Sequence, residues 1–212
     1  MSSARMSAGG APGPAAGPPL VLIGGGVRSG KSRFALERAL QLGGPRRAFV
    51  ATAEPLDGEM AERIARHQDE RRGRGFVTLE EPLDLAAALR SAYAAADVVV
   101  VDCLTLWVSN HLVRGARTAA LGEAFDGLLA TLARRPIPVL LVSNEVGLGL
   151  VPETPLGRAF RDHVGLLHQR LGAVADELYA GLMGTLLRLR PAPVEAVVAG
   201  GRGPDPRDED GA

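Results

Sequence analysis

The sequence is poor in cysteine, in aromatic residues and in lysine, and it carries no net charge. Its one cysteine, Cys103, rules out an internal disulfide framework, and no Cys/His cluster has zinc-ligand spacing. With 24 basic and 24 acidic residues among 212, the formal net charge is zero, which argues against a nucleic-acid partner or an anionic membrane surface. We therefore expect a reducing compartment and no nucleic-acid partner.

Long apolar runs are also missing. No segment offers the roughly 18 uncharged apolar residues that a membrane span requires, and the N-terminus lacks the continuous apolar stretch of a signal peptide. A cytoplasmic protein with no membrane partner is expected. The apolar content of 46% and the chain length suit one globular domain.

The two ends of the chain differ in composition from the middle. Residues 1–19 are mostly Ala, Gly, Pro and Ser, and residues 191–212 are rich in Pro and Gly with an acidic end. Such segments bury too little apolar surface to offset the loss of chain entropy, so we predict disordered tails there. Residues 20–190 form the expected domain.

Between the tails, short apolar runs alternate with longer segments of helical period. This alternation indicates an α/β fold, a mostly parallel sheet flanked by helices. Runs such as VVVV and VLLV are apolar throughout, as in strands that are covered on both faces. The predicted strands are 20–24, 47–52, 76–80, 97–102, 137–143 and one terminal strand within 181–190.

The only lysine in the chain falls in a glycine-rich loop directly after the first predicted strand. The segment GGVRSGKS fits G-x-x-x-x-G-K-[ST] and precedes a helical segment, the context in which this motif binds phosphate. Lys31 is expected to reach the β- and γ-phosphates, and the Ser32 hydroxyl to ligate Mg²⁺. The candidate nucleotide-binding residues of the loop are Gly25, Gly26, Val27, Arg28, Ser29, Gly30, Lys31 and Ser32.

Asp102 ends the apolar run DVVVVD. A carboxylate at the carboxyl end of a buried strand lies where a Mg²⁺-bound phosphate is held in such folds. The alternative is an ordinary aspartate that caps the next turn. Together, the loop and Asp102 predict a nucleotide-handling enzyme and no more.

The stretch Glu59–Arg72 is nearly all charged, yet it contains one imidazole, that of His67. Asp57 is a suitable N-cap and an acidic residue follows in the first turn, which predicts a helix over residues 58–72. Neutral imidazole is nucleophilic near neutral pH, so the environment of this histidine matters.

Met60, Ile64 and His67 share one face of this predicted helix because they are spaced at i, i+4 and i+7. Arg63 and Arg66 are expected to project elsewhere. The apolar neighbours place His67 toward the body of the protein, either as a buried structural histidine or as a catalytic group.

Several segments resemble one enzyme family. The phosphate loop carries Arg-Ser before its second glycine, and the second strand ends in AT before the helix DGEMAERIARHQDERR. The fourth strand continues as VDCLTLWVSN and the fifth as VSNEVGLGLVPETPLGRAFRDHVGLLHQRLGAVADELY. Over residues 20–187 the chain resembles the bifunctional adenosylcobinamide kinase / adenosylcobinamide-phosphate guanylyltransferase family of cobalamin biosynthesis.

The resemblance implies a RecA-like P-loop fold, a trimeric assembly and two reactions. The first phosphorylates the aminopropanol hydroxyl of adenosylcobinamide with a nucleoside triphosphate, ATP or GTP. In the second, GMP from GTP is attached to a histidine with release of pyrophosphate. The GMP then passes to the phosphorylated corrinoid, which gives adenosylcobinamide-GDP.

The guanylylated histidine of the family matches His67. Some members carry a second histidine where this chain has Arg66, and some carry glutamate at the position of Asp102, so the chain departs from them there. Beyond the phosphate loop, the nucleotide contacts that the resemblance implies are Ala51, Thr52, Ala53, Gln68, Asp69, Glu70, Arg71, Glu80 and Asp102.

Other polar residues have weaker signals. Glu80 can accept hydrogen bonds from guanine or ribose, or it is an exposed acid beside Glu81. Asn144 and Glu145 end the fifth predicted strand, where they either position substrate or attacking water or form a structural turn. Helix-face ion pairs or structural roles are expected for Arg158, Arg161, Arg170, His111, His163 and His168.

Two alternatives compete with the two-step enzyme. One is a simple P-loop kinase for a small molecule, in which His67 is a core residue and no covalent intermediate forms. The other is a RecA-like regulatory ATPase, in which hydrolysis drives a partner. The second alternative favours a basic surface or an extra domain, and the neutral composition and modest length oppose it.

Overall fold

The computed structural model describes residues 17–55 and 57–197, apart from the side chain of Glu59. The helices in these ranges are α1 (Lys31–Leu42), α2 (Gly58–Arg71), α3 (Leu85–Ala95), α4 (Leu104–Val113), α5 (Thr118–Ala133) and α6 (Pro155–Val174). The strands are β1 (Leu20–Gly25), β2 (Arg47–Ala51), β3 (Phe76–Glu80), β4 (Val98–Asp102), β5 (Val139–Asn144), β6 (Glu177–Leu182), β7 (Thr185–Arg190) and β8 (Glu195–Val197).

All of these strands belong to one sheet with the order β3-β2-β4-β5-β1-β6-β7-β8. Strands β1 to β6 are parallel, and β7 and β8 extend the sheet as antiparallel strands. The expected α/β class, with a mostly parallel sheet flanked by helices, is confirmed. The first five predicted strands lie within one or two residues of β1 to β5.

The C-terminal part of the sheet differs from the prediction. Instead of one terminal strand within 181–190, β6 and β7 form a hairpin around Met183 and Gly184, with φ values of 50° and 74°. Two successive left-handed residues reverse the chain in step with the twist of the strands. Strand β8 lies inside the segment 191–212 that was expected to be a tail. The remaining tail residues, 1–16 and 198–212, lie outside the described part of the chain.

Alternate residues of the central strands pack on opposite faces of the sheet. Leu20 and Leu22 of β1 join a core with α3, α4, α5 and α6, whereas Val21 and Ile23 join a core with α1. Both cores exclude water, so both faces of these strands need apolar side chains. This explains why the strand sequences are apolar throughout rather than alternating.

The parallel strands end at a common edge. Gly25 is in register with Asn144 of β5 and with Gly181 of β6. Ala51 is in register with Asp102 of β4 and with the last residue of β3. Each of these residues lies near the end of a different strand. The parallel strands therefore bring them together at the carboxyl edge of the sheet, where open α/β folds bind ligands.

Helix α2 crosses above this edge. It begins as predicted at Asp57, whose side chain accepts a hydrogen bond of 2.7 Å from the backbone N–H of Met60. It ends at Arg71, one residue before the predicted end. No helix in the described ranges has the length and hydropathy needed to span a bilayer.

His168 joins helix α6 to the end of strand β5. Its Nε2 lies 2.7 Å from the Ser143 hydroxyl, and its Nδ1 lies 3.6 Å from a carboxylate oxygen of Glu145. Burial lowers the pKa of His168 below its ordinary value, and the charge of Glu145 only partly opposes this. The fold therefore favours the neutral ring.

We expect His168 to make the fold less stable in mild acid. Between its lowered folded pKa and the unfolded value of about 6.5, the unfolded chain binds more protons, so the free energy of unfolding falls as the pH drops through this window. Urea unfolding measures the free energy of unfolding at about pH 7.5 and about pH 5. The decrease between these pH values should be smaller in His168→Gln than in the parent. An unchanged loss in His168→Gln would contradict the assignment.

Candidate active site

A cavity opens at the carboxyl edge of the sheet, between the loop after β1, the end of β4 and the inner face of α2. The space between its walls, including the open mouth, is about 540 Å³. Of the predicted site residues, the structure brings together on these walls Lys31, Ser32, Ala51, Ala53, His67, Arg71, Asp102 and Asn144.

The phosphate loop is held in a tight turn. Gly30, with φ 83°, adopts a left-handed conformation just before α1, which favours glycine. Lys31 is 6% exposed, and its ammonium donates a hydrogen bond of 3.0 Å to the Gly26 carbonyl. Burial lowers the pKa of Lys31; the charge of Asp102 opposes this shift, and that of Arg63 adds to it. A bound triphosphate would give this buried ammonium a negatively charged partner.

The same loop packs tightly against strand β6. A Cβ atom on Gly181 would lie 2.8 Å from the Ser29 hydroxyl oxygen, and one on Gly25 would lie 2.9 Å from the Gly181 carbonyl oxygen. Only glycine fits these two strand ends without a shift of the loop. The sequence reasoning missed Gly181, although an isolated glycine in a strand is a known signal of close backbone approach.

The turn after β4 uses Thr52 as a structural bridge. The Thr52 hydroxyl donates to the Cys103 carbonyl at 2.8 Å and accepts from the Cys103 N–H at 2.9 Å. The side chain of Thr52 is fully buried, so it braces the backbone beside Asp102 and does not line the cavity. The predicted nucleotide contact of Thr52 stays a prediction, and its hydroxyl is already engaged by Cys103.

The inner face of α2 forms one wall of the cavity. Met60, Ile64 and His67 line it, as the periodicity predicted. Arg63 lines it too, so the expectation that this arginine projects elsewhere was wrong. Arg63 lies four residues before His67, a spacing that puts both side chains on the same helix face.

Arg71 fixes the C-terminal end of α2 against the sheet. Its guanidinium carbon lies 3.8 Å from the centroid of the Phe49 ring, and its Nη2 donates to the Thr78 hydroxyl at 3.3 Å. Burial lowers the pKa of Arg71, while the charges of Asp102 and Glu70 oppose the shift. A buried cation therefore lies on the cavity wall, beside the predicted metal-binding carboxylate.

His67 is oriented by Glu70. The imidazole Nδ1 lies 3.2 Å from a Glu70 carboxylate oxygen, and one third of the His67 side chain, 33%, is exposed to the cavity mouth. The hydrogen bond with His67 lowers the pKa of Glu70. Glu70 thus contacts the histidine and does not itself line the cavity wall.

Three other predicted contacts lie away from the cavity wall. Gln68 and Asp69 are exposed, and Asp69 pairs with Arg72 at 2.9 Å. Glu80 ends β3 level with Ala51 but is exposed.

Asn144 and Glu145 have different surroundings. Asn144 lines the cavity; its Nδ2 donates to Thr105 at 2.9 Å, and its Oδ1 is buried with no hydrogen-bond partner among the described residues. Glu145 turns away from the cavity wall, and its carboxylate accepts from the Gly147 N–H at 2.6 Å. Asn144 therefore holds an unsatisfied acceptor behind the cavity wall, whereas Glu145 is engaged in the loop after β5.

Cys103 is a second potential nucleophile on the cavity wall, and sequence reasoning gave it no role. Burial and the nearby Asp102 charge raise the pKa of its thiol to about 11. The thiol is therefore protonated near neutral pH, and only the thiolate is strongly nucleophilic. His67 is the better candidate for covalent chemistry.

The donors in the cavity suit Mg²⁺. The described residues contain no group of three or more His, Cys, Asp or Glu side chains that would enclose a metal. Ser32 and Asp102, both on the cavity wall, offer hard oxygen ligands. Mg²⁺ commonly takes one or two such protein ligands and completes its shell with water and substrate phosphates.

Comparisons with known proteins show the family of the chain. A family model described as cobinamide kinase / cobinamide phosphate guanyltransferase matches residues 21–189. The bifunctional adenosylcobalamin biosynthesis protein CobP of Pseudomonas aeruginosa is 43% identical over 173 residues, 82% of this chain and 98% of that protein. The protein CobU of Salmonella typhimurium, of the same description, is 36% identical over 183 residues, 81% of this chain and 99% of its own.

Among solved structures, the RadB recombinase is 18% identical with a TM-score of 0.46, over 84% of this chain and 86% of its own. The family model and the two biosynthetic relatives span most of the chain, so the expected enzyme class is confirmed. The chain belongs to the cobinamide kinase / cobinamide phosphate guanyltransferase family.

Proposed function

We propose that the protein phosphorylates adenosylcobinamide with ATP or GTP and then transfers GMP from GTP, through His67, to give adenosylcobinamide-GDP. The observation that supports this proposal is a single cavity in which His67 lies on one wall and Lys31 and Asp102 line the others. Relatives of this chain are named as bifunctional enzymes of adenosylcobalamin biosynthesis. A cavity that holds both phosphate-binding groups and a potential nucleophile fits an enzyme with two reactions.

In the kinase step, the triphosphate lies along the phosphate loop. Backbone N–H groups at the start of α1 face the phosphate oxygens, and Lys31 neutralises the β- and γ-phosphates. The acceptor hydroxyl oxygen forms a bond to the γ-phosphorus and releases its proton to water, and the bond from that phosphorus to the bridging oxygen breaks, so a nucleoside diphosphate leaves. Mg²⁺ bound through Ser32 and Asp102 would supply further neutralisation of the phosphate charge.

In the guanylyl step, His67 attacks the α-phosphorus of GTP. A proton on Nδ1, donated to Glu70, leaves the lone pair of Nε2 free for this attack. The N–P bond forms as the bond to the bridging oxygen breaks. Lys31 and Arg63 are placed to neutralise the departing pyrophosphate.

The phosphate of the phosphorylated corrinoid then attacks the same phosphorus atom. The N–P bond breaks, adenosylcobinamide-GDP forms and the His67 imidazole is restored. A covalent intermediate of this kind divides one difficult transfer into two displacements.

The two alternative functions fit the cavity less well. In a simple kinase His67 would be a core residue, yet it is partly exposed at the cavity mouth and hydrogen-bonded to a carboxylate. A regulatory ATPase would not need a histidine opposite the phosphate loop. The family resemblance also implies a trimer, which we propose as the assembly; light scattering of the purified chain checks it.

Substitutions in the cavity should separate the two reactions. His67→Ala is expected to abolish GMP transfer from GTP while phosphorylation of adenosylcobinamide continues, because only the guanylyl step uses the imidazole. Lys31→Ala should impair both, since both leaving groups carry phosphate charge near this ammonium. Product analysis with labelled ATP and GTP measures each step. Normal GMP transfer in His67→Ala, or normal turnover in Lys31→Ala, would refute the proposal.

Glu70 is expected to act by orienting His67. Glu70→Ala should slow guanylylation by roughly 10- to 100-fold because the ring loses its fixed tautomer and direction. Glu70→Gln, which keeps an acceptor oxygen, should recover part of the rate. Glu62→Ala removes another exposed carboxylate of the same helix, one with no site role, and should leave the rate unchanged. Single-turnover labelling with GTP gives these rates; equal effects at both positions would contradict the orienting role.

A further inference from the structure

We propose that two neighbouring loops at the mouth of the cavity form a binding surface for the corrin ring of adenosylcobinamide. This inference rests on the proposed function, which requires such an acceptor. We define the apolar rim as Val27 of the phosphate loop with Leu148, Leu150 and Val151 of the loop after β5.

The two loops leave the sheet side by side. Gly25 and Asn144 are in register at the ends of the adjacent strands β1 and β5. The backbone N–H of Glu145 donates to the Gly25 carbonyl at 2.9 Å, which joins the two chain segments just beyond the strands. Val27 follows two residues later on one loop, and Leu148 three residues later on the other. The rim therefore adjoins the phosphate loop.

The side chains of the rim are unusually exposed for apolar residues. The exposed fractions are 69% for Val27, 87% for Leu148, 96% for Leu150 and 71% for Val151. Single exposed apolar residues are common on protein surfaces. Several on adjoining loops beside a catalytic cavity are typical of a ligand-binding surface.

The backbone behind the rim is held in place by helix α6. Arg161 donates to the carbonyls of Gly147 at 2.6 Å and of Leu150 at 3.0 Å. Arg158 donates to the Glu153 carbonyl at 2.7 Å. The polar backbone groups are thus satisfied toward α6, and the apolar side chains are left outward. A loop that is already ordered loses less conformational entropy when a ligand binds.

The chemistry of the acceptor fits this position. Its hydroxyl must approach the γ-phosphorus to about 3–3.5 Å. The cavity must also hold a nucleotide, so the corrin macrocycle stays outside while its aminopropanol arm enters. A corrin ring is a large apolar macrocycle with methyl groups and carboxamide arms. An apolar rim at the mouth would hold the ring and aim the arm at the phosphate loop.

A second copy of this chain is the rival occupant of the rim. Stable protein interfaces bury about 800 Å² on each partner, with about 20 or more residues. The rim has four apolar residues and is joined to the phosphate loop through the Glu145–Gly25 hydrogen bond, which favours a small ligand over a subunit.

The test is a double substitution, Leu148→Ser with Leu150→Ser. We expect the KM for adenosylcobinamide in the kinase reaction to rise by about tenfold or more, because apolar contact area is lost. The KM for the nucleotide and the rate of His67 guanylylation by GTP should not change. Leu148→Met with Leu150→Met keeps the apolar surface and should behave as the parent. Leu166→Ser, an exposed leucine in the middle of α6, controls for loss of any surface leucine.

Two outcomes would overturn the rim assignment. One is an unchanged KM for adenosylcobinamide in the double serine variant. The other is a fall in molar mass by light scattering, which would show that the rim joins copies of the chain. Failure of GTP to label the parent protein would instead count against the proposed function itself.

A second measurement uses the unsubstituted chain, so it does not depend on how the variants fold. Amide hydrogen exchange across residues 146–153 should slow when adenosylcobinamide is added and should not slow with nucleotide alone. Unchanged exchange at a saturating corrinoid concentration would overturn the proposal.

Discussion

The packing of the Arg71 guanidinium on the Phe49 ring determines where the cavity-lining face of α2 lies. Among the described side chains of this helix, Arg71 is the one that is buried. A desolvated cation packed on an aromatic ring contributes about 2 kcal/mol to stability. A guanidinium that stayed buried without its partners would cost more than this. Because His67 lies one helical turn before Arg71, this contact holds the imidazole at the mouth of the cavity.

The register of the parallel strands supplies the other half of the site. Gly25, Asn144 and Gly181 end level with one another, and the tight fit of Ser29 between the two glycines fixes the phosphate loop on this edge. In the proposed mechanism, the helix brings the nucleophile and the sheet brings the phosphate-binding groups. We propose that the apolar rim brings the acceptor to the same edge.

The sequence predicted those parts of the site that depend on local patterns. The phosphate loop, the start of α2 at Asp57 and the inward position of His67 all follow from motifs or spacing within a few residues. Arg63 was misplaced because its charge was assumed to face solvent, although its spacing puts it on the face of His67. The burial of Arg71 on Phe49 joins residues from separate elements, and no local pattern indicates it.

The hairpin between β6 and β7 was missed for a related reason. Its turn places Met183 at a positive φ, where glycine, asparagine or aspartate is the usual signal. Neighbouring strands stabilise this turn. The structural use of the Thr52 hydroxyl also depends on a contact with Cys103, about 50 residues away in the chain. Tertiary contacts of this kind decide which side chains remain available to a ligand.

The most direct test of a guanylylated histidine is the position of the adduct. Cleavage after arginine releases the fragment His67–Arg71, sequence HQDER, which contains one histidine and no lysine. After incubation with Mg²⁺ and GTP, and digestion without exposure to acid, mass spectrometry should find this fragment heavier by one GMP group. An unmodified fragment in an actively transferring enzyme, or the adduct on the fragment that contains Lys31, would contradict the account.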